Sequence, residues 1–249
     1  MKNHGENSLD EVTRQDKKLL ALVTEHFPIE EMSKEYKQFL IENHYNLIKL
    51  TLQKNFVPSE EAAIKVWFYY FYLKYFNRKI DFSAVEIPSY REGFDWVIII
   101  AQGLTINKTV EVLKKYDLFK GYYIFFEEDF SEKDVSANDR DPKDRDYAVR
   151  FRKRVEADEE LKNRSAGNLK KDNIPGITLL ERFIMELVYF EETGGKHLDR
   201  KNLTLCSGSH DSDGCSPNIG WGSGGGKLTI SWSHPDDAFD YLRSREGIY

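Results

Sequence analysis

The spacing of the apolar residues changes near residue 80, and this change constrains the fold more than any other feature of the chain. From Lys17 to about Arg78 apolar residues recur at helical intervals. Within this stretch, residues 58–61 (PSEE) are typical of a helix start, because acidic side chains favour the N-terminus of a helix. Beyond Ile80, short β-rich runs alternate with helical ones. The sequence therefore predicts an α+β fold, with a helical N-terminal region packed on a mixed α/β domain.

The second part of the chain opens with a strand, a helix and a strand. Residues 94–100 (FDWVIII) are typical of a buried strand, and Thr105 can cap a helix over residues 106–116. Residues 121–126 (GYYIFF) indicate a second strand. Since this order is typical of a βαβ unit, we expect the two strands to be parallel neighbours.

Two more helices and a short antiparallel β tail complete the predicted domain. Apolar residues four apart predict a helix over residues 145–161. Thr178 and Glu181 form a capping-box pattern at the start of a second helix, which Gly194-Gly195 should end. Three short strand-like runs follow, and the last two flank a glycine-rich loop, as in a hairpin.

These elements give a simple prediction of the domain organisation. Residues 1–16 form a polar flexible leader, and residues 17–80 form the helical region. Residues 81–249 form the α/β domain, which contains the C-terminal β hairpin within residues 201–249.

Composition excludes several classes of protein. The formal net charge of the 249-residue chain is -6, which disfavours general nucleic-acid binding. The most apolar stretch, residues 62–76, is too short to span a membrane, and Lys65 and Lys74 interrupt it. Cys206 and Cys215 are the two cysteines, too few for a disulfide framework. We expect a soluble, cytoplasmic protein without membrane association.

Asp139, Asp141 and Asp144 surround Pro142 and are the first candidates for chemistry. Carboxylates at this spacing can hold Mg²⁺ or Ca²⁺, or serve a hydrolytic reaction. The same residues also suit a helix start. Asp141 would be the cap, Pro142 the first helical residue, and Asp144 the capping partner at the third helical position. The cap explains the spacing without a ligand and is favoured, and it leaves Asp139 unused.

Arginines near these aspartates are candidates for anion binding. Arg140 lies between two of them, and Arg150 and Arg154 fall four apart on the predicted helix. Such a pair could grip a phosphate or a carboxylate. Because the acidic run 156–160 follows at once, a solvated and self-neutralising helix face is the favoured alternative.

His197 and Asp199 could act as a general base and its orienting carboxylate if the backbone brings them together. The alternative is that both residues belong to a polar surface loop and have no catalytic role. Trp221 and Trp232 flank the glycine-rich loop and could present a stacking surface for a ligand. Cross-strand packing of the two rings is the favoured alternative.

Several strings from Gly93 onward resemble a family of uncharacterised bacterial proteins. They are NDRDP (138–142), RVEADEELKN (154–163), GITLLER (176–182) and KHLDRKNLTLCSGS (196–209). The resemblance implies relatives, but it implies no activity, cofactor or partner.

Cys206, His210 and Cys215 are the weak candidates for a metal site, since their side chains can bind zinc. Their spacing departs from the usual zinc patterns, and His210 and Cys215 differ from the residue types of the family just named. A buried Cys206 at the end of a strand is the favoured explanation.

The sequence does not define a function, but it favours a non-catalytic binding or interaction protein. No cofactor motif is identified, and the oligomeric state is open. The partner is not defined by the sequence, and a protein is one candidate. The alternative is a hydrolase or phosphoryl-processing enzyme that uses Asp139, Asp141 and Asp144 with nearby arginine and histidine. A zinc-stabilised module is a third, weaker hypothesis.

Overall fold

The computed structural model describes residues 60–122, 130–222 and 226–249. By its internal contacts the chain divides into Met1–Pro58 and Ser59–Tyr249. The predicted leader and the predicted helices before residue 60 therefore lie outside the described residues. The predicted boundary at residue 80 differs from this division, because the helix that begins at Glu60 belongs to the second unit.

Helix α1 (Glu60–Phe76) supplies a large aromatic part of the core. Two acidic residues stand in its first turn, as the helix dipole favours. The Tyr72 hydroxyl donates a hydrogen bond to the Ile99 carbonyl (2.9 Å) and accepts one from the Ala101 amide (3.0 Å). The buried side chains of this helix are Phe68, Phe71, Tyr72, Tyr75 and Phe76.

Strand β1 (Trp96–Ile100), helix α2 (Ile106–Lys115) and strand β2 (Phe119–Tyr122) follow in the predicted order. The Thr105 side chain caps α2, as expected, by accepting a hydrogen bond from the Lys108 amide at 3.1 Å. The predicted parallel pairing is wrong, because β1 and β2 lie in different sheets among the described residues.

Strand β4 (Tyr147–Phe151) occupies the place beside β1 and pairs with it in antiparallel register. The helix predicted over residues 145–161 is therefore wrong, and after β4 the chain continues as a loop with one 3₁₀ turn at Glu159–Leu161. The prediction was based on apolar residues four apart. Residues at this spacing lie on the same face of a strand as well as of a helix, so the spacing does not distinguish the two.

Helix α4 (Leu179–Glu192) runs through the centre of the domain, after the short helix α3 (Ala166–Lys171). Its predicted capping box is confirmed: the Thr178 hydroxyl accepts from the Glu181 amide, and the Glu181 carboxylate accepts from the Thr178 amide. The helix ends before Gly194 and Gly195, both with positive φ (63° and 108°), as the glycine pair predicted.

The remaining strands build a five-stranded mixed sheet. They are β5 (Leu203–Leu205), β7 (Ser216–Gly222), β8 (Lys227–Ser233) and β9 (Leu242–Arg243), in the order β2-β8-β7-β5-β9. The predicted hairpin is β7–β8, but the tail is not simply antiparallel, because β2–β8 and β5–β9 are parallel pairs. Strand β3 (Ala137–Asn138) pairs separately with β6 (Ser209–His210).

The fold class is α+β, as predicted. None of the helices within the described ranges is both long enough and apolar enough to cross a membrane.

Candidate functional site

Helix α4 carries three charged side chains into the core. Glu181, Arg182 and Glu186 are all fully buried. Burying a charge is unfavourable unless the charge is paired and hydrogen-bonded. The partners of these three residues therefore show how most of the buried charges of the domain are paired.

The first buried pair joins Arg140 to Glu181. Arg140 donates from Nε and Nη2 to the two carboxylate oxygens of Glu181, at 2.7 and 2.8 Å. It also donates to the Gly176 carbonyl at 2.6 Å. Arg140 therefore ties the segment around β3 to the start of α4. The guanidinium that was predicted to bind a ligand is instead bound to Glu181 inside the domain.

Asp199 is the centre of a second buried network. Its carboxylate accepts from Arg182 at 2.9 Å and from Arg245 at 2.7 Å. The Thr204 hydroxyl and the Ala157 amide also donate to it, at 2.5 and 2.9 Å. Burial raises the pKa of Asp199, but the two arginines outweigh burial and hold that pKa below its ordinary value. Asp199 is thus a stable anion within the core.

His197 joins this network through Glu186. Its Nδ1 lies 3.0 Å from Glu186 Oε1, and Glu186 Oε2 accepts from Arg182 at 2.9 Å. The imidazole also stacks on the Trp221 ring, with a centroid distance of 3.3 Å and an angle of 8°. We call this series of five residues the buried ion-pair chain: Arg245, Asp199, Arg182, Glu186 and His197.

The predicted pairing of His197 with Asp199 is therefore corrected. Both residues belong to the ion-pair chain, but Glu186 holds the imidazole, and Asp199 lies three contacts away, beyond Glu186 and Arg182. Glu186 and Arg182 were missed as partners. The signal that could have found them is an oppositely charged pair four residues apart inside the apolar run of α4.

The three aspartates around Pro142 are exposed and do not meet the ion-pair chain. The Asp141 carboxylate accepts from the Lys143 amide at 2.9 Å, but no helix begins here, so the predicted helix cap is wrong and the bond belongs to a bend of the loop. The Asp139 amide donates to the Gly208 carbonyl at 2.8 Å. In the described part of the chain, neither Asp139 nor Asp141 makes a hydrogen bond or ion pair with His197, and Asp144 makes none with it either.

The predicted clamp of Arg150 and Arg154 is not formed. Arg150 lies within β4 and is buried, whereas Arg154 follows the strand and forms an exposed double hydrogen bond with Glu160 at 2.5 and 2.9 Å. Because the segment is extended rather than helical, the two arginines have separate surroundings.

Trp221 and Trp232 pack with the core. Strand pairing places Trp221 opposite Leu228 and Trp232 opposite Pro217, so both rings share one face of the β7–β8 pair. Ile219 and Ile230, which face each other on this same side, are fully buried. The tryptophans therefore stand at the two ends of a core face, which favours packing over a stacking surface for ligands.

The cysteines have different surroundings. Cys206 is fully buried, and burial raises the pKa of its thiol. Cys215 is partly exposed, and both are free thiols. His210 Nδ1 contacts the Asp211 carbonyl at 3.1 Å. Across the described ranges, no group of three or more His, Cys, Asp and Glu side chains is placed to hold a metal ion, so the zinc hypothesis gains no support.

A surface feature that the sequence reasoning missed lies between β8 and β9. We call residues 234–241 (HPDDAFDY) the aromatic–acidic loop. Phe239 and Tyr241 are 40% and 53% exposed. Their rings stack on each other, with a centroid distance of 5.3 Å and an angle of 4°. Two large apolar rings thus form one continuous exposed surface.

Aspartates surround this pair of rings. Asp236 and Asp240 are exposed, and Asp237 fixes the turn by accepting from the His234 amide at 2.8 Å. The neighbouring loop adds Asp211 and Asp213, and burial followed by the charges of these two residues and Asp237 raises the pKa of the Cys215 thiol. The sequence signal is a pair of aromatic residues inside an acidic loop without lysine or arginine.

Comparison of the chain with protein-family models, with curated proteins and with solved structures gave no match. The resemblance to a bacterial family stays a prediction.

Proposed function

We propose that this protein is a non-catalytic binding protein, and that its aromatic–acidic loop binds a cationic segment of a partner protein. The observation that carries the proposal is the stacked and exposed pair Phe239 and Tyr241. Aromatic side chains contribute strongly to protein interfaces because they bury large areas at a small cost in conformational entropy.

The charge of the loop selects the kind of partner. Residues 234–241 contain three aspartates and no lysine or arginine. An arginine of the partner can stack on the Phe239 or Tyr241 ring and pair with Asp236 or Asp240 at the same time. A partner segment rich in arginine therefore fits both the apolar and the charged part of this surface.

The other aspartate-rich loop of the domain fits such a partner less well. Residues 139–146 (DRDPKDRD) carry four aspartates, and Lys143 and Arg145 offset part of their charge, whereas Arg140 is bound to Glu181. Asp141 is paired with Lys143 at 3.3 Å, and Asp146 accepts from the Gln102 amide at 2.6 Å. This loop therefore offers a cation less free charge, and it lacks an aromatic pair.

A peptide titration tests the proposal. The probe is a fluorescent peptide of alternating arginine and glycine, and an alternating glutamate and glycine peptide is the control probe. We expect the wild type to bind the arginine peptide, with an affinity that falls as salt rises. Replacing both rings (Phe239→Ser with Tyr241→Ser) should weaken binding at least about tenfold, since stacking and buried aromatic area are lost.

Tyr90→Ser is the matched control variant, because Tyr90 is an aromatic residue outside the loop that is 62% exposed. It should bind the arginine peptide as the wild type does. Equal binding by the loop variant and the wild type, or equal binding of the two peptides, would refute the proposal.

A hydrolase is the second candidate function, because Glu186 holds His197 Nδ1 at 3.0 Å. Among the described residues Nε2 of this ring has no hydrogen-bond partner, so it could accept a proton from a water molecule. Hydrolysis of p-nitrophenyl acetate and p-nitrophenyl phosphate by the wild type, with loss of that activity in His197→Gln, would support this candidate. Equal rates in the two proteins would exclude it.

A further inference from the structure

Arg150 differs from every other buried arginine among the described residues. It lies in β4 opposite Val97 of β1, and its whole residue is 5% exposed. Its backbone exchanges hydrogen bonds with Ile248, at 2.8 and 2.9 Å. Pairing with a neighbouring segment on each side therefore fixes the backbone position of Arg150.

Four arginines are buried in the described ranges, and three of them are paired with a carboxylate. Arg140 pairs with Glu181, whereas Arg182 and Arg245 share Asp199. Arg150 has no carboxylate partner within the described ranges.

One nitrogen of the Arg150 guanidinium also lacks a hydrogen bond, as does one nitrogen in each of Arg140 and Arg182. In Arg150, Nε donates to the Pro88 carbonyl at 2.6 Å, but Nη1 is buried and has no partner. A guanidinium cannot give up its proton to escape burial, so its positive charge persists. A buried charge without a counter-ion is strongly unfavourable. An anion that reaches this guanidinium from outside the described residues would therefore complete the arrangement.

The exposed Tyr90 ring lies close to this guanidinium. Its ring centroid lies 5.8 Å from the Arg150 Cζ, and the residue is 62% exposed. Exposed side chains change rotamer rapidly, so the ring can move aside and then cover a bound group. Val97, which pairs with Arg150 on the same strand face, is buried and supplies an apolar neighbour.

We propose that Arg150 and Tyr90 form a binding site for a small monocarboxylate with an apolar body. A single unpaired positive charge matches a single negative charge, and a planar carboxylate matches the fork of the guanidinium. Inorganic phosphate fits less well, because its second negative charge would have no partner. This site is separate from the aromatic–acidic loop, and its failure would leave the proposed function untouched.

Calorimetric titration with benzoate and with inorganic phosphate at low salt tests the site. The wild type should bind benzoate more tightly than phosphate. Arg150→Met, which keeps the length of the side chain but not its charge, should weaken benzoate binding at least about tenfold. Arg154→Met removes an exposed arginine that Glu160 already holds, and it should bind benzoate normally. Tighter binding of phosphate than of benzoate, or no benzoate binding by the wild type, would overturn the proposal.

Thermal unfolding separates a binding role from a structural one. Without ligand, Arg150→Met should unfold at the same temperature as the wild type or higher, because an unpaired buried charge is gone. Benzoate should raise the unfolding temperature of the wild type but not that of the variant. A variant that unfolds well below the wild type, or does not fold, would show that Arg150 is structural and would contradict the site. Tyr90→Ala, an exposed change, should fold normally and bind benzoate several-fold more weakly.

Discussion

Removing Asp199 should be one of the most damaging single changes in the described part of the domain. The carboxylate holds Arg182 at 2.9 Å and Arg245 at 2.7 Å, and all three side chains are at most 1% exposed. In Asp199→Ala both guanidinium groups lose this partner. The Thr204 hydroxyl and the Ala157 amide also lose an acceptor.

The magnitude follows from these contacts. Breaking a buried ion pair by removing one partner costs about 3–5 kcal/mol. Each buried donor left without an acceptor adds about 1–3 kcal/mol, although such losses are not additive within one network. We expect Asp199→Ala to lower the free energy of unfolding by at least about 3 kcal/mol, a large part of the stability of a typical domain.

Equilibrium unfolding in urea, followed by circular dichroism and tryptophan fluorescence, measures this loss. Asp141→Ala is the matched control, because Asp141 is an aspartate whose ion pair with Lys143 is exposed. The control loses this exposed ion pair and the hydrogen bond from the Lys143 amide, so it should lower the free energy of unfolding by about 1 kcal/mol or less. A loss below about 1 kcal/mol in Asp199→Ala would refute the reasoning, since it would mean that the ion-pair chain is solvated.

Three further predictions concern stability. The folded pKa of Asp199 lies below its ordinary value, so its contribution to the stability of the fold is present above about pH 3.9 and is lost as the pH falls further. The thermal unfolding temperature of the wild type should therefore drop more steeply in this acid range than that of Asp199→Asn. Gly208→Ala would place a Cβ 2.6 Å from the Gly176 carbonyl oxygen, so urea unfolding should show a loss of about 1–3 kcal/mol, and an unchanged midpoint would contradict this packing. Thr178→Ala removes the cap of α4 and should cost about 1 kcal/mol in the same assay.

The elements with strong local signals could be predicted from the sequence. The capping box at Thr178, the glycine pair after α4 and the hairpin β7–β8 each depend on residues close together in the chain. Strand pairing could not be predicted in the same way. Strand β4 pairs with β1 across a long separation in sequence, and its apolar spacing also fits a helix. The sheet order therefore needed three-dimensional information.

The same difference between local and long-range signals applies to the candidate site. The sequence marked His197 and Asp199 because they are close in the chain, but their partners Glu186 and Arg245 come from other segments. Arg150 was selected for a clamp on a helix that does not exist, and its unpaired charge appears only when burial is known. Local spacing identifies residue types that are able to do chemistry, but burial and partners decide which of them are free to do it.

The position at which an arginine-rich peptide binds tests the central claim most directly. An alternating arginine and glycine peptide with a photoreactive group is crosslinked to the wild-type protein, and mass spectrometry identifies the modified residues. The account predicts crosslinks concentrated in residues 234–241, around Phe239 and Tyr241. Crosslinks concentrated in residues 139–146, or spread evenly over the acidic surface, would contradict it.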